Sequence, residues 1–371
     1  MKAPKIAPLD LTRLRTQPLS LRHSLTACED ILVPLEAEPP ALSAELLGQV
    51  DVAVAAIRAA RVRGAGVMLV YGAHLLRNGA ALLLDGLMRE GWVTHIATNG
   101  AGTIHDWEYA WLGKSTEGVE ANVATGTFGC WEETGAYIHL ALLAGALDGL
   151  GYGEALGRFI VEDGATLPSV DELRGLVGAD PEHRLTPARA DLLHFMRQRG
   201  LEGGRIELRH RWKHASILAS AWKHGVPATV HPGIGYDIIT NHPSFNGSVI
   251  GRAGGWDFAL FSGSVERLEG GVVLSVGSAI MAPQVFEKSL SCVNNLRLQD
   301  GQGALAGHSI FVVDLQDGGG WNWSAGEPPK TNAAYYLRFC KSFSRMGAPM
   351  HYLQCDNVAF VHHLWRRLAK P

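Results

Sequence analysis

Six short apolar runs, most of them followed by a segment with helical spacing, constrain this chain more than any other feature. They are "VMLVYG" (67–72), "VTHIATN" (93–99), "PATVHPG" (227–233), "GVVLSVG" (271–277), "HSIFVVDL" (308–315) and "MHYLQCD" (350–356). Strands that are apolar almost throughout, rather than on alternate residues, are buried on both faces, as in a parallel sheet with helices on either side. The intervening spacing predicts helices over 75–90, 103–112, about 131–149, 212–224, 280–297 and 331–346, with a closing helix after 356. The fold class is therefore α/β, a doubly wound parallel sheet. Residues 1–64 read as a loosely structured, Pro-rich N-terminal extension ending in a helix over 41–64. Residues 65–371 read as a single α/β domain, with a polar excursion at about 163–210 that carries one helix near 186–200.

Charge and cysteine usage narrow the partners. With 33 Lys+Arg against 36 Asp+Glu the net charge is −3, which provides no field to attract nucleic acid or an anionic membrane. Five scattered cysteines without C-x-x-C spacing read as buried thiols in a reducing cytosol. The start "MKAPKIAPLD" lacks a signal-peptide core, and the most apolar run is interrupted by His139 and Asp148. The expectation is a cytoplasmic protein with a small-molecule partner.

In a doubly wound sheet, ligands sit beyond the carboxyl ends of the strands, where helix N-termini offer backbone N–H groups to phosphate. Four strand-end loops are glycine-rich or polar: "YGAHLLRNG" (71–79), "TNGAGTIHD" (98–106), "HPGIGYD" (231–237) and "LQDGGGWNWSAG" (315–326). In the second, Gly100, Ala101 and Gly102 leave room for a pyrophosphate against the backbone, and Asp106 is placed in the first turn of the following helix. The strict G-x-G-x-x-G pattern fails at His105, and the "GKST" of 113–116 fails as a phosphate loop because Glu108 stands where a glycine is required. His74, His95, His105, His231 and His242 match no common metal spacing, so no metal is expected. There is no G-x-S-x-G elbow. Glu132 and Glu133 in "CWEETG" read either as a carboxylate pair that could bind a cationic ligand or as acidic residues that complement the dipole of the long helix they open. Trp321 and Trp323, two indoles in a glycine-rich loop, read either as the wall of a pocket or as part of a subunit interface.

These segments resemble deoxyhypusine synthase, an NAD-dependent enzyme that transfers an aminobutyl group from spermidine. The segment "GAHLLRNGAALLLDGLMREGWVTHIATNGAGTIHD" is similar to the family's early NAD-binding part, "ASAWKHGVPATVHPGIGYDII" to its next helix, strand and acidic glycine loop, and "CDNVAFVHHLWRRL" to its end. The resemblance implies a Rossmann-like NAD-binding fold and an NAD cofactor. It places Gly72, Ala73, His74, Asn78, Asn99, Gly100, Ala101, Gly102, Asp106, Asp317 and Asp356 near that cofactor, and puts Asp237 at the carboxylate that holds an amine. It also implies a homo-oligomer, dimer or tetramer. The chain departs from the family in its last third: "VVLSVGSAIMAP" carries no histidine, the loop with Asp317 lacks the second aspartate, and the imine-forming lysine falls on Leu337, with Lys330 and Lys341 several residues away. Leucine cannot form an imine.

The reading is an NAD-dependent transferase or oxidoreductase acting on a small amine, polyamine or amino-acid-like substrate, without the covalent lysine. Asp237 anchors the cation, Trp321 or Trp323 walls it, and His105 or His231 accepts a proton, as an imidazole with an ordinary pKa of about 6.5 is suited to do. A homospermidine-synthase-like transferase is the nearest variant. The alternative is a non-catalytic homologue that binds a nucleotide or metabolite for regulation.

Overall fold

The computed structural model describes residues 6–369. Residues 1–5, where the expected N-terminal extension begins, and 370–371, where the expected α/β domain ends, lie outside the described residues. The sheet strands are β1 (Val67–Tyr71), β2 (His95–Asn99), β3 (Ala228–His231), β4 (Val272–Val276), β5 (Ser309–Asp314) and β6 (Met350–Gln354). All pair in parallel, in the spatial order β3-β2-β1-β4-β5-β6. The chain moves outward from β1 to β3, returns to lay β4 beside β1, and moves outward again. That is the order of dinucleotide-binding doubly wound folds, with a topological switch point between β1 and β4.

The helices used below are α1 (Ala44–Val62), α2 (Ala81–Arg89), α3 (Gly100–Leu112), α4 (Glu132–Leu147), α5 (Tyr152–Val161), α6 (Ile217–His224), α7 (Gly247–Glu266), α8 (Met281–Gln299) and α9 (Asn357–Leu368). Alternate strand residues feed separate cores, because successive side chains point to opposite faces. Val67, Leu69, Ile96, Val230, Leu274 and Phe311 pack with α1, α2, α5 and α9. Met68, Val70, Ala97, Val273, Ile310 and Val312 pack with α8 and the second half of α7. Each fully buried aliphatic or aromatic side chain contributes about 1.5–3 kcal/mol, so both faces are held firmly.

Several elements differ from the sequence expectation for identifiable reasons. The helix expected over 75–90 is two, Ala73–Arg77 and α2, because Gly79 turns at φ +88° and lies so close to the Ile31 carbonyl that a Cβ would stand 1.8 Å from its oxygen. α7 has five glycines and gave no helical signal; it forms because Val249, Ala253, Asp257, Phe261 and Val265, spaced by four, bury one stripe. The excursion carries a second helix, Val170–Ala179, besides Thr186–Arg199, and is closed at its base by the antiparallel pair Gly164–Leu167 and Gly204–Glu207. The helix expected over 331–346 is reduced to Arg338–Ser344, preceded by a single turn at Ala333–Tyr336.

The opening segment is tied down rather than loose. Thr16 Oγ1 donates to Glu132 at 2.6 Å and the Leu19 N–H to Glu133 at 2.6 Å. Further on, Trp365 Nε1 donates to the Leu35 carbonyl at 3.1 Å. The two acidic residues that open α4 thus anchor the N-terminal segment. No helix among the described residues is long and apolar enough to cross a membrane.

Candidate functional site

Because every main-sheet strand is parallel, Tyr71, Asn99, His231, Val276, Asp314 and Gln354 end on one edge, and the candidate residues distribute along it. The loop "TNGAGTIHD" differs from expectation. α3 begins at Gly100, not at 103, and Asn99 caps it by accepting the Gly102 N–H at 2.9 Å. The Ala101 N–H donates to Asp237, which also accepts the Gly233 N–H at 2.7 Å. A carboxylate therefore occupies the place where a phosphate was expected, with the same attraction to a helix N-terminus. A Cβ at Gly100 would stand 2.0 Å from Asp237 Oδ2, and one at Gly102 would stand 2.2 Å from Thr98 Oγ1. Both glycines make room for the protein's own side chains. Replacing Gly100 with Ala should therefore cost about 1–3 kcal/mol, as overpacking does. Adding Asp237→Ala should recover most of that loss in a denaturant-unfolding cycle, and a neutral Gly100→Ala would refute this account.

Asp106 also leaves the cofactor list. It stands in the second turn of α3, fully buried, and caps α6 by accepting from Ser216 Oγ, the Ile217 N–H at 2.7 Å and the Leu218 N–H at 3.4 Å. Burial raises its pKa to about 7 against the lowering effect of those donors.

Beside the Asp237 loop lies a cavity of about 250 Å³ lined by Arg22, Arg77, His105, Glu108, Glu117, Tyr236 and Asp237, among others. Its size suits a small metabolite, below the ~300–1,000 Å³ of pockets for drug-sized ligands. Arg77 Nε is buried with no hydrogen-bond partner among the described residues, leaving a donor for an anionic ligand group. Burial raises the Asp237 pKa, while the N–H groups of Gly233 and Ala101 lower it. Burial pushes His105 down to about 4; Glu108 opposes this, and Arg77, Arg22 and His74 add to it. Glu117 is taken by Asn122 Nδ2 at 2.5 Å and Trp131 Nε1 at 3.0 Å. On the rim Thr116, a β-branched residue, sits in the left-handed region at φ +71°, a strained conformation that concentrates at functional sites.

Arg22, Arg77, Glu108, Glu117 and Tyr236 escaped the sequence reading. Arg22 and Glu108 are 86 residues apart, and no local pattern connects them.

At the switch point, Gly72 meets Gly277 backbone to backbone: a Cβ on Gly72 would stand 2.1 Å from the Gly277 carbonyl oxygen. Gly277 turns at φ +60° over Asn357, whose Oδ1 is buried without a partner among the described residues. α8 starts here with Ile280 at its N-cap and no side-chain cap, its Ala282 N–H reaching Ser278 Oγ at 3.3 Å. Among the described residues no carboxylate accepts from the N–H groups of this helix start, unlike that of α3.

The remaining candidates fall in three groups. Ala73 is partly exposed, while His74 and Asn78 are exposed on the short helix after β1. Asp317 and Asp356 are exposed at the ends of β5 and β6, engaged with the Gly319 N–H at 2.8 Å and, as the cap of α9, with the Ala359 N–H at 2.9 Å. His231 ends β3 buried beside Phe261, lowered to about 4 by burial, with Thr229 Oγ1 at 3.3 Å; it does not line the Asp237 cavity.

The structure separates the tryptophans from Asp237. Trp321 and Trp323 line a different cavity of about 520 Å³ along the outer strand β6, with Gln49, Tyr352 and Gln354. β3 and β6 are opposite edges, five strand spacings or about 24 Å apart, so the indoles do not wall a cation held by Asp237. Leu337 is buried in the core that contains Phe339 and Phe343, and Lys341 pairs with Glu327 at 2.7 Å. Neither supplies an amine to the site.

Fold and site together define a doubly wound α/β protein with a small charged cavity at the strand ends. Solved structures similar to it include ArgZ, an arginine dihydrolase from the ornithine-ammonia cycle in cyanobacteria, at 15% identity over 88% of this chain and 33% of that one, TM-score 0.40. A second is AgrE in ternary complex with ornithine and NAD+, at 13% identity over 89% of this chain and 34% of that one, TM-score 0.43. A third is a protein described as LOR/SDH from Methanococcus maripaludis S2, at 11% identity over 96% and 76%, TM-score 0.41. The chain spans about a third of the length of ArgZ and AgrE. No protein-family model and no curated protein matches the sequence.

Proposed function

We propose that the chain is an NAD-dependent enzyme acting on a small amine or amino acid, on a scaffold of the deoxyhypusine synthase kind but without its covalent lysine. The observation that carries this reading is the pairing of a dinucleotide-type strand order with one cavity lined by Asp237, Arg77 and His105 together. Asp237 takes the substrate ammonium and Arg77 its carboxylate, a charge-assisted pairing that fixes orientation. His105, neutral at working pH, accepts the ammonium proton.

The residues around the switch point fit a dinucleotide, because the start of α8 carries no side-chain cap and Asn357 Oδ1 is buried without a partner among the described residues. Gly277, Ser278 and Asn357 would hold it, with Gly72 and Ala73 alongside. Bound there, it supplies a hydride acceptor. Ile234, Tyr236, Ile280 and Leu315, all exposed on loops that follow β3, β4 and β5, support a homo-oligomer that covers this edge.

The test is calorimetric titration of the purified chain with NAD+, followed by an absorbance screen for NADH production from small amines and amino acids. NAD+ is expected to bind with an affinity that Asn357→Leu reduces about tenfold, the loss of roughly one good hydrogen bond. His105→Gln is expected to lower kcat by about 10²–10⁴ with NAD+ affinity unchanged. Absence of both NAD+ binding and a thermal shift would sink the reading.

A further inference from the structure

We propose that Ser115 and Glu108 are positioning residues that lock His105 in the tautomer protonated on Nδ1, leaving Nε2 as the cavity's proton acceptor. This rests on the base role given to His105 above, but the lock itself follows from counting donors and acceptors.

Glu108 is fully buried and accepts from Arg22 Nη1 at 2.8 Å, Arg22 Nη2 at 2.7 Å, Thr134 Oγ1 at 2.9 Å and Ser115 Oγ at 2.5 Å. A carboxylate paired through both oxygens with a guanidinium has no proton to give. Ser115 owns one hydroxyl proton, and Glu108 takes it. The same Ser115 Oγ lies 2.7 Å from His105 Nδ1, and with its proton committed it can only accept there. The proton between them is therefore on Nδ1. Nε2 carries the lone pair, and no hydrogen bond engages it among the described residues.

The backbone keeps this chain of bonds in place. Thr26–Ala27 pairs with Lys114–Ser115, and Thr26 Oγ1 donates to the Ser115 carbonyl at 3.0 Å. The charged and titratable groups around the ring are Glu108, Arg77, Arg22 and His74, with Glu117 and Asp237 also lining the cavity. Arg22 comes from the N-terminal segment, so that segment completes the network from outside the sheet.

Nitrogen-15 spectra of the full chain, labelled at histidine and with His105 assigned by its loss in His105→Gln, read the tautomer directly. At pH 7.5 the wild-type signals are expected to show a protonated Nδ1 and a bare Nε2. Ser115→Ala should shift the tautomer balance of His105 about tenfold toward Nε2–H, the effect of roughly one hydrogen bond, and Ser115→Thr should restore it. The other histidine signals and the thermal midpoint serve as the folding control, and if Ser115→Ala fails it, the wild-type spectrum decides. A wild-type His105 protonated on Nε2, or a folded Ser115→Ala with an unchanged tautomer, overturns the proposal. Failure of NAD+ binding or amine oxidation would instead strike the functional reading and leave this result standing.

Discussion

Replacing Arg22 with Met is expected to lower the unfolding free energy by about 3–5 kcal/mol, the range for removing one partner of a buried ion pair. The side chains of Arg22 and Glu108 are 2% and 0% exposed, so Met at this position leaves an uncompensated carboxylate inside the protein. Thr134 and Ser115 would still donate to Glu108, but neutral hydroxyls do not replace a guanidinium bound through two parallel bonds. The loss includes the guanidinium's placement 5.6 Å from the Trp131 ring. Arg22→Lys keeps the charge but not the fork, so it should fall between Met and the wild type. The double variant Arg22→Met, Glu108→Met should be more stable than Arg22→Met alone, because it removes both charges together. Urea unfolding of the four proteins checks this. An Arg22→Met protein within about 1 kcal/mol of wild type, as surface pairs give, would show that the pair is not sequestered from water.

That pair also shows where sequence reading stops. The six strands were legible because burial on both faces leaves a run of apolar residues that needs no partner to be recognised. Their order was not, since pairing β4 with β1 is a tertiary choice across some two hundred residues. The glycines at 100 and 102 were legible as a close approach, yet a missing Cβ says that something comes near and not what. Here it is Asp237 and Thr98, where a phosphate was expected. Trp321 and Asp237 both belong to strand-end loops, and only the strand order sends them to opposite edges of the sheet. α7 was hidden because its glycines lower intrinsic helicity while its buried stripe exists only once β3 and α5 are in place. Asp257, on that stripe, accepts the Val230 N–H at 2.6 Å and the Gly153 N–H at 3.0 Å.

Acidification from pH 7 to 5 is expected to destabilise the chain steeply, and buried histidines set the slope. His95 is lowered to about 3, and His105, His139, His210, His231, His242 and His308 to about 4, chiefly by burial. Unfolded, each returns to about 6.5. A depressed histidine contributes stability that is present above the unfolded pKa and lost as pH falls toward the folded one, so all seven act in the same direction between about 6.5 and 4. Buried aspartates act in the other direction. Asp106, raised to about 7, contributes stability that is present below 3.8 and lost as pH rises through 7, and the raised Asp257 and Asp237 have the same sign. The buried histidines outnumber the raised aspartates, so unfolding takes up protons on balance and stability falls as the pH drops below 6.5. His308 gives the sharpest single-site check, because it is fully buried against Phe286 and neither ring nitrogen has a hydrogen-bond partner among the described residues. His308→Leu should therefore flatten the slope by about one proton, while leaving stability at pH 7.5 equal or higher. Urea midpoints measured from pH 7.5 to 5 decide this. A wild-type curve flat across that range would mean that folding changes the proton count little, so that the histidines titrate in the folded state much as they do unfolded.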